Sequence, residues 1–186
     1  MADFVYYVGS SLDGYIAGES GELGWLEQFN SVPGLDEAYR DFERTVGCVV
    51  MGGETYEWIR AHSPGPWPYS VPCWVFTHHE LGVDDGADVV LVRGDVAEFA
   101  QELRRDAGDR DVYVVGGGAL AGEFLAAGLL DRLILTVVPV ALGGGVPLFG
   151  GSPLGVPAGF ALEDVVQREG TVQLAYRRHE KATAGH

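Results

Sequence analysis

Lysine is almost missing from this chain: Lys181 is the only one in 186 residues. Without an internal lysine there is no Gly-Lys-Ser/Thr phosphate loop and no candidate for a Schiff base. Basic charge is scarce in general, with 12 Lys and Arg against 27 Asp and Glu, a net charge of −15. That balance argues against a nucleic-acid partner, because phosphate backbones are held by basic surfaces. Only two cysteines occur. Cys48 and Cys73 sit in apolar strand-like contexts, "VGCVVMG" and "VPCWVF", and read as buried thiols rather than a disulfide framework. Pro72-Cys73 lacks the second cysteine and the His-x-Glu of a zinc deaminase, and the five histidines lack metal-ligand spacing, so no metal is expected. No Gly-x-Ser-x-Gly elbow is present. No apolar run is long enough to span a membrane, and "MADFVYYVGSSLDGYIAG" lacks the basic start and cleavage pattern of a signal peptide. The expected location is therefore cytoplasmic, with no membrane partner.

Strand-like and helix-like segments alternate along the chain. Strands are expected at 4–8, 48–52, 73–77, 88–92, 111–115 and 131–140, and helices at 35–44, 54–61, 95–107 and after 118. The helix at 95–107 has a capping box, Asp95 with Glu98, and an apolar stripe of Val96, Phe99, Ala100 and Leu103. "FALEDVVQR" and "TVQLAYRRHE" flank Glu169-Gly170 and read as a closing hairpin. Strands alternating with helices imply an α/β fold with a mostly parallel sheet covered on both faces, and the hairpin adds an antiparallel edge. One domain is expected over residues 1–180, followed by a polar, disordered tail at 181–186.

The same design occurs twice: strand, glycines, helix. "CVVMGGETYEW" turns at Gly52-Gly53, and "VYVVGGGALAGEF" turns at Gly116-Gly117-Gly118. In a parallel sheet both turns fall at the carboxyl edge, where open α/β folds bind ligands. Each helix offers free N–H groups and a positive dipole end, so two together could hold the phosphates of a dinucleotide. Either pair of glycines read alone is also compatible with a plain tight turn. Gly116–Ala121 fits Gly-x-Gly-x-x-Ala, but that fingerprint opens the first βαβ unit and needs an acid at the end of the next strand. Here that strand ends in "TVVPV".

The segments "VYYVGSSLDGYIAG", "VVMGGETYEW" and "VYVVGGGALAGEFLAAGLLDRLILTVVPVALGGGVPLF" follow one another in that order. With them the chain resembles the dihydrofolate reductase-like fold. It is more closely similar to the reductase domain of riboflavin-biosynthesis deaminase–reductases and its free-standing relatives, from about Phe4 to about Arg178. The resemblance implies an enzyme: an NAD(P)H-dependent reductase acting by hydride transfer on a small pterin-like or ribosylamino-pyrimidine-like heterocycle. NADPH is the implied cofactor, with NADH possible. Val8 and the loop from Ser10 to Gly18 would border the nicotinamide. Gly52, Gly53, Glu54 and Thr55 would meet the adenosine side, and Thr77 with His78 the adenine ribose. Val115, Gly116, Gly117, Gly118, Ala119 and Leu120 would hold the pyrophosphate. One position departs from the family pattern. Glu54 stands where relatives carry cations for the 2′-phosphate, so it would repel that group, unless it is only a first-turn helix acid. His78, His79 or Arg93 could supply the missing charge.

Reduction of an imine or carbonyl also needs a proton donor. By resemblance the candidates are Asp13 and Asp36. Asp13 also fits an Asp-Gly turn, and Asp36 an ordinary helix-start acid. Trp25 and Phe29 are expected to wall a substrate pocket or to cover core. The family also implies a homodimer, pairing through apolar edge strands supplied by "RLILTVVPV" and the hairpin. The competing reading is a non-catalytic nucleotide-binding or dimeric scaffold protein with a decayed cofactor site, which Glu54 favours.

Overall fold

The computed structural model describes residues 2–63, 65–151 and 153–179; the tail expected at 181–186 lies outside them. Among these residues the elements run β1 (Phe4–Ser10), β2 (Tyr15–Ala17), α1 (Gly24–Glu27), α2 (Leu35–Glu43), β3 (Val46–Gly52) and α3 (Gly53–His62). There follow β4 (Cys73–Phe76), β5 (Val89–Val92), α4 (Ala100–Ala107), β6 (Asp111–Gly116), α5 (Gly118–Ala126) and β7 (Leu130–Val137). The chain closes with β8 (Val146–Pro147), β9 (Phe160–Arg168) and β10 (Thr171–Arg178). Eight strands form one sheet in the order β5-β4-β3-β6-β1-β7-β10-β9. The first six in that order run parallel, and the closing hairpin is antiparallel to β7. This is a dihydrofolate reductase-like α/β sheet.

The core lies on both faces, as the continuous apolar strands require. Alternation along β1 sends Phe4 and Tyr6 to the face covered by α4 and α5, with Leu103, Ala121 and Phe124. Val5 goes to the other face, under Phe42 of α2 and Tyr56 and Ile59 of α3. Cys48 and Cys73 are both buried free thiols. Burial pushes the Cys48 thiol up to about 12 and raises that of Cys73, so neither is a thiolate at neutral pH.

Two expectations are corrected, and one small sheet is added. β7 ends at Val137 and lies between β1 and β10, so it is interior; the sheet edges are β5 and β9. β10 inserts beside β7 because the hairpin folds back onto it, leaving β9 outermost. The helix expected from Asp95 begins at Ala100. Asp95 does not form a capping box. Its Oδ1 accepts the Ala97 N–H (3.1 Å) in a local turn, which brings Val96 into the core and Phe99 onto Trp74 and Phe76. Lastly, the glycine-rich loops contain a small second sheet, β2 with β8. It joins residues 11–18 to residues 140–150 at the carboxyl edge of the main sheet, with Leu12 N–H donating to Val140 O (2.7 Å) and Leu148 N–H to Gly14 O (2.8 Å).

Candidate active site

Of the cavities along the carboxyl edge, two are lined by residues expected at the site. The larger, of about 430 Å³, lies between the starts of α3 and α5. Both helices begin without a side-chain cap, α3 after Gly52 and α5 after Gly117. Their first N–H groups and positive dipole ends therefore face one groove. Its walls include Gly52, Gly53, Glu54, Thr55, Thr77, His78, Gly117, Gly118, Ala119 and Leu120. The structure thus brings ten of the fourteen expected cofactor residues together.

The other four lie elsewhere. Gly116 is buried beneath the groove. Val8 packs against the core beside α5, and Val115 against the core beside α2. Gly18 is buried in its loop, its N–H bonded to Glu22 O (3.0 Å).

The three consecutive glycines serve different needs. Gly116 has φ +121°, a conformation that side chains rarely adopt. The Gly116–Gly117 peptide is cis. A Cβ on Gly118 would lie 2.1 Å from the Pro147 carbonyl oxygen, so the chain's own backbone claims that space. At Gly117 the nearest atom to a Cβ would be Thr55 Oγ1 at 3.7 Å, an ordinary contact. Of the three, only Gly117 has both an ordinary φ, −70°, and no close backbone neighbour, and it lines the groove.

The groove is electrostatically mixed. Glu54, Glu57 and Glu123 line it, as do His78, His79 and Arg93. Burial and the nearby Asp95 raise the Glu123 carboxyl, and His78 pulls it the other way. Among the described residues no group of His, Cys, Asp and Glu is placed to hold a metal ion.

The second cavity, of about 380 Å³, lies on the other side of β1. Leu26, Phe29, Leu35 and Val138 give it apolar walls, and Tyr7, Asn30, Asp36, Tyr39 and Thr136 add polar groups. Phe29 is where a substrate wall was expected. Trp25 is not part of the lining; its indole N–H donates to Glu22 O (3.2 Å). Asp36 lines this cavity from the first turn of α2 and pairs with Arg40 (2.6 Å) on the exposed helix surface. Such an i,i+4 pair is worth only about 0.3–0.5 kcal/mol. Tyr7 and Thr136 were not singled out from the sequence. The adjacent tyrosines of "VYYVG" did hold a signal, since alternation must send one of them to each face of the sheet.

Asp13 is engaged elsewhere. Its Oδ1 accepts from Ser11 Oγ (2.7 Å) and from the Leu142 N–H (3.0 Å), and its Oδ2 from the Gly143 N–H (2.7 Å). These donors, led by Ser11, hold its carboxyl down to about 2. At neutral pH it is an ionised tie between the two loops and has no proton to donate. Because the folded value lies below the ordinary 3.8, the tie is complete above about pH 4 and is lost as the pH falls toward 2. Asp13→Ala is expected to speed amide hydrogen exchange at Leu142 and Gly143 at neutral pH, whereas exchange in the β3 core stays slow. Unchanged protection at both amides would show that the loops hold without this carboxylate.

The comparisons with known proteins match this architecture. The family model of the RibD C-terminal domain matches residues 4–174. The uncharacterized protein YwjB of Bacillus subtilis is 36% identical over 146 residues, 78% of this chain and 81% of its own. The crystal structure of a riboflavin biosynthesis protein from Shewanella sp. PV-4, itself assigned only provisionally, superposes with TM-score 0.80 at 32% identity. That match covers 97% of this chain and all of the other. Dihydrofolate reductase from Enterococcus faecalis, complexed with NADP(H) and RAB-propyl, shares the fold with TM-score 0.62 at 19% identity, covering 96% of this chain and 97% of that one.

Proposed function

Given that the chain belongs to the RibD C-terminal domain family, we propose that it is a nicotinamide-dependent reductase of a small pyrimidine- or pterin-like heterocycle. The observation that carries this reading is the pair of uncapped helix starts facing one groove across Gly117. Anionic groups are favoured there by backbone N–H donors and dipole ends, without any lysine. A bound dinucleotide supplies the hydride. The chain's part is to hold the pyrophosphate at Gly117–Leu120, to seat the substrate in the cavity beside Phe29 and Tyr7, and to provide a proton. Of the two carboxylates considered, Asp36 is the one that lines that cavity; it is ion-paired with Arg40, so its part in this proposal is to hold a ring N–H or a water that relays the proton.

Dinucleotide binding is tested by thermal unfolding. A ligand at about 100 times its Kd adds roughly 2.7 kcal/mol, or about 5–10 °C for a chain of this size. NADPH or NADH should give such a shift. No shift with either favours the competing reading, a scaffold whose cofactor site has decayed; the three glutamates in the groove are the observation on its side. Glu54 is exposed at the first turn of α3 and opposes a 2′-phosphate in this placement. Glu54→Arg should move the NADPH-to-NADH affinity ratio toward NADPH by severalfold, up to roughly tenfold, and less at high salt. An unchanged ratio would mean that this side chain does not face the ribose.

A homodimer is also proposed, now through β9. This nine-residue edge strand exposes Leu162 and Val165 at 53% and 51% of their surface. An open edge with apolar side chains invites pairing. Light scattering at micromolar concentration should return twice the chain mass, and a monomer would remove β9 as an interface.

A further inference from the structure

Tyr7 and Thr136 both line the substrate cavity, and a single side chain fixes the direction of both hydroxyls. Gln173 on β10 sits opposite Thr136 in the β7–β10 register. Its Nε2 donates to Tyr7 Oη (2.8 Å) and to Thr136 Oγ1 (3.2 Å), which uses both amide protons. Its Oε1 accepts from Arg168 Nη1 (3.4 Å). A guanidinium has no acceptor, so turning the amide over would set two donors against each other. Arg168 therefore fixes the amide, and the amide makes both hydroxyls acceptors on the Gln173 side. Each hydroxyl keeps its own proton, and among the described residues neither donates a hydrogen bond.

The Tyr7 ring itself is held. It stacks on Phe42 with centroids 4.9 Å apart and meets the Tyr39 ring edge-on at 5.4 Å. Only the hydroxyl proton is left to turn, and Tyr7 lines the cavity. Thr136 is buried, 7% exposed, so its unused proton also needs a partner.

We propose that Arg168, Gln173, Tyr7 and Thr136 form a directional relay that makes this wall of the cavity a hydrogen-bond donor, selecting a heterocycle that presents carbonyl or imine acceptors there over one that presents amino groups. This rests on the reading of the cavity as a heterocycle site and goes beyond it by naming the polarity of the ligand's edge. Burial raises the Tyr7 phenol, so it stays protonated at neutral pH. Tyr7 is then a binding residue that can also share its proton with the reacting ring, and Gln173 and Arg168 are positioning residues.

The test uses two flat rings of one size, pteridine-2,4-dione and 2,4-diaminopteridine. Both exocyclic groups are acceptors in the first and donors in the second. Affinities are measured by calorimetric titration of the folded protein at neutral pH, where both rings are mostly uncharged. The readout is the ratio of the two affinities, in which contributions common to both ligands cancel. Tyr7→Phe should move that ratio toward the diamino ring by about tenfold, the size of one lost hydrogen bond to a buried partner. Gln173→Glu should move it at least as far, although both hydroxyls remain. A carboxylate held by Arg168 accepts their protons and turns their lone pairs to the cavity. A purely structural role would weaken both ligands alike, so folded variants with an unchanged ratio overturn the relay and leave the heterocycle site standing. Wild-type protein that binds neither ring overturns the heterocycle site, and the relay with it.

Discussion

Gly122→Ala is expected to destabilise the protein by about 2 kcal/mol, although alanine is the better helix former. Gly122 is buried in the middle of α5, and a Cβ there would lie 1.9 Å from the Gly150 carbonyl oxygen and 3.0 Å from its carbon. Both are backbone atoms, so no rotamer change relieves the overlap. The helix and the 147–150 segment are also tied by the Gly150 N–H donating to Gly118 O (2.9 Å). Inserting a methyl group into such a contact costs roughly 1–3 kcal/mol, at the upper end when the neighbour is backbone. The gain in helix propensity is about 1 kcal/mol in the other direction. The net loss should lower Tm by roughly 4–8 °C. Gly155, whose added Cβ would meet nothing within 4 Å, is the comparison: alanine there should leave Tm nearly unchanged. Equal stability of Gly122→Ala and wild type would show that the 147–150 segment moves aside freely. That segment adjoins Val146 of the groove, so a folded Gly122→Ala variant should also bind dinucleotide more weakly.

The sheet was legible in the sequence because its central strands are buried on both sides. "VGCVVMG" and "DVYVVG" read as apolar runs, and both form interior strands, β3 and β6. The two glycine turns were legible as a pair because both follow such strands. The sequence could not say which of Gly116, Gly117 and Gly118 is held by the chain's own backbone and which is open to the groove. That distinction depends on Pro147 and Thr55, residues that only the fold brings close.

Short strands were not legible. β2 has three residues and β8 two, both within glycine-rich loops, too short for any period to emerge. Yet their pairing carries Asp13 to Leu142 and Gly143, and so decides what Asp13 does. The Tyr7–Gln173 contact joins residues 166 positions apart. It follows from β10 entering the sheet beside β7, and the sequence left that open by presenting β7 as an edge. Local pattern thus located the groove between the two glycine turns, and long-range register brought Gln173 to the Tyr7 hydroxyl.

Gly117→Val should leave the fold intact and weaken dinucleotide binding by more than about tenfold, a loss above roughly 1.4 kcal/mol. The Cβ would meet Thr55 Oγ1 at 3.7 Å, and the methyl groups beyond it would extend into the groove. Stability in urea should therefore stay within about 1 kcal/mol of wild type. The loss falls on the ligand, because Gly117 is the residue before the first turn of α5, whose free N–H groups face the groove. A pyrophosphate must reach those N–H groups at hydrogen-bond distance, and a branched side chain stands in that approach. The neighbouring glycine should behave in the opposite way. Gly118→Ala puts its Cβ 2.1 Å from Pro147 O, so it should lower stability first, and affinity only as a consequence. Calorimetric titration with NADPH and with NADH, beside urea unfolding of the same samples, separates the two effects. A folded Gly117→Val protein that binds both dinucleotides as wild type does would remove this turn from the cofactor site, leaving its open glycine without a ligand to explain it.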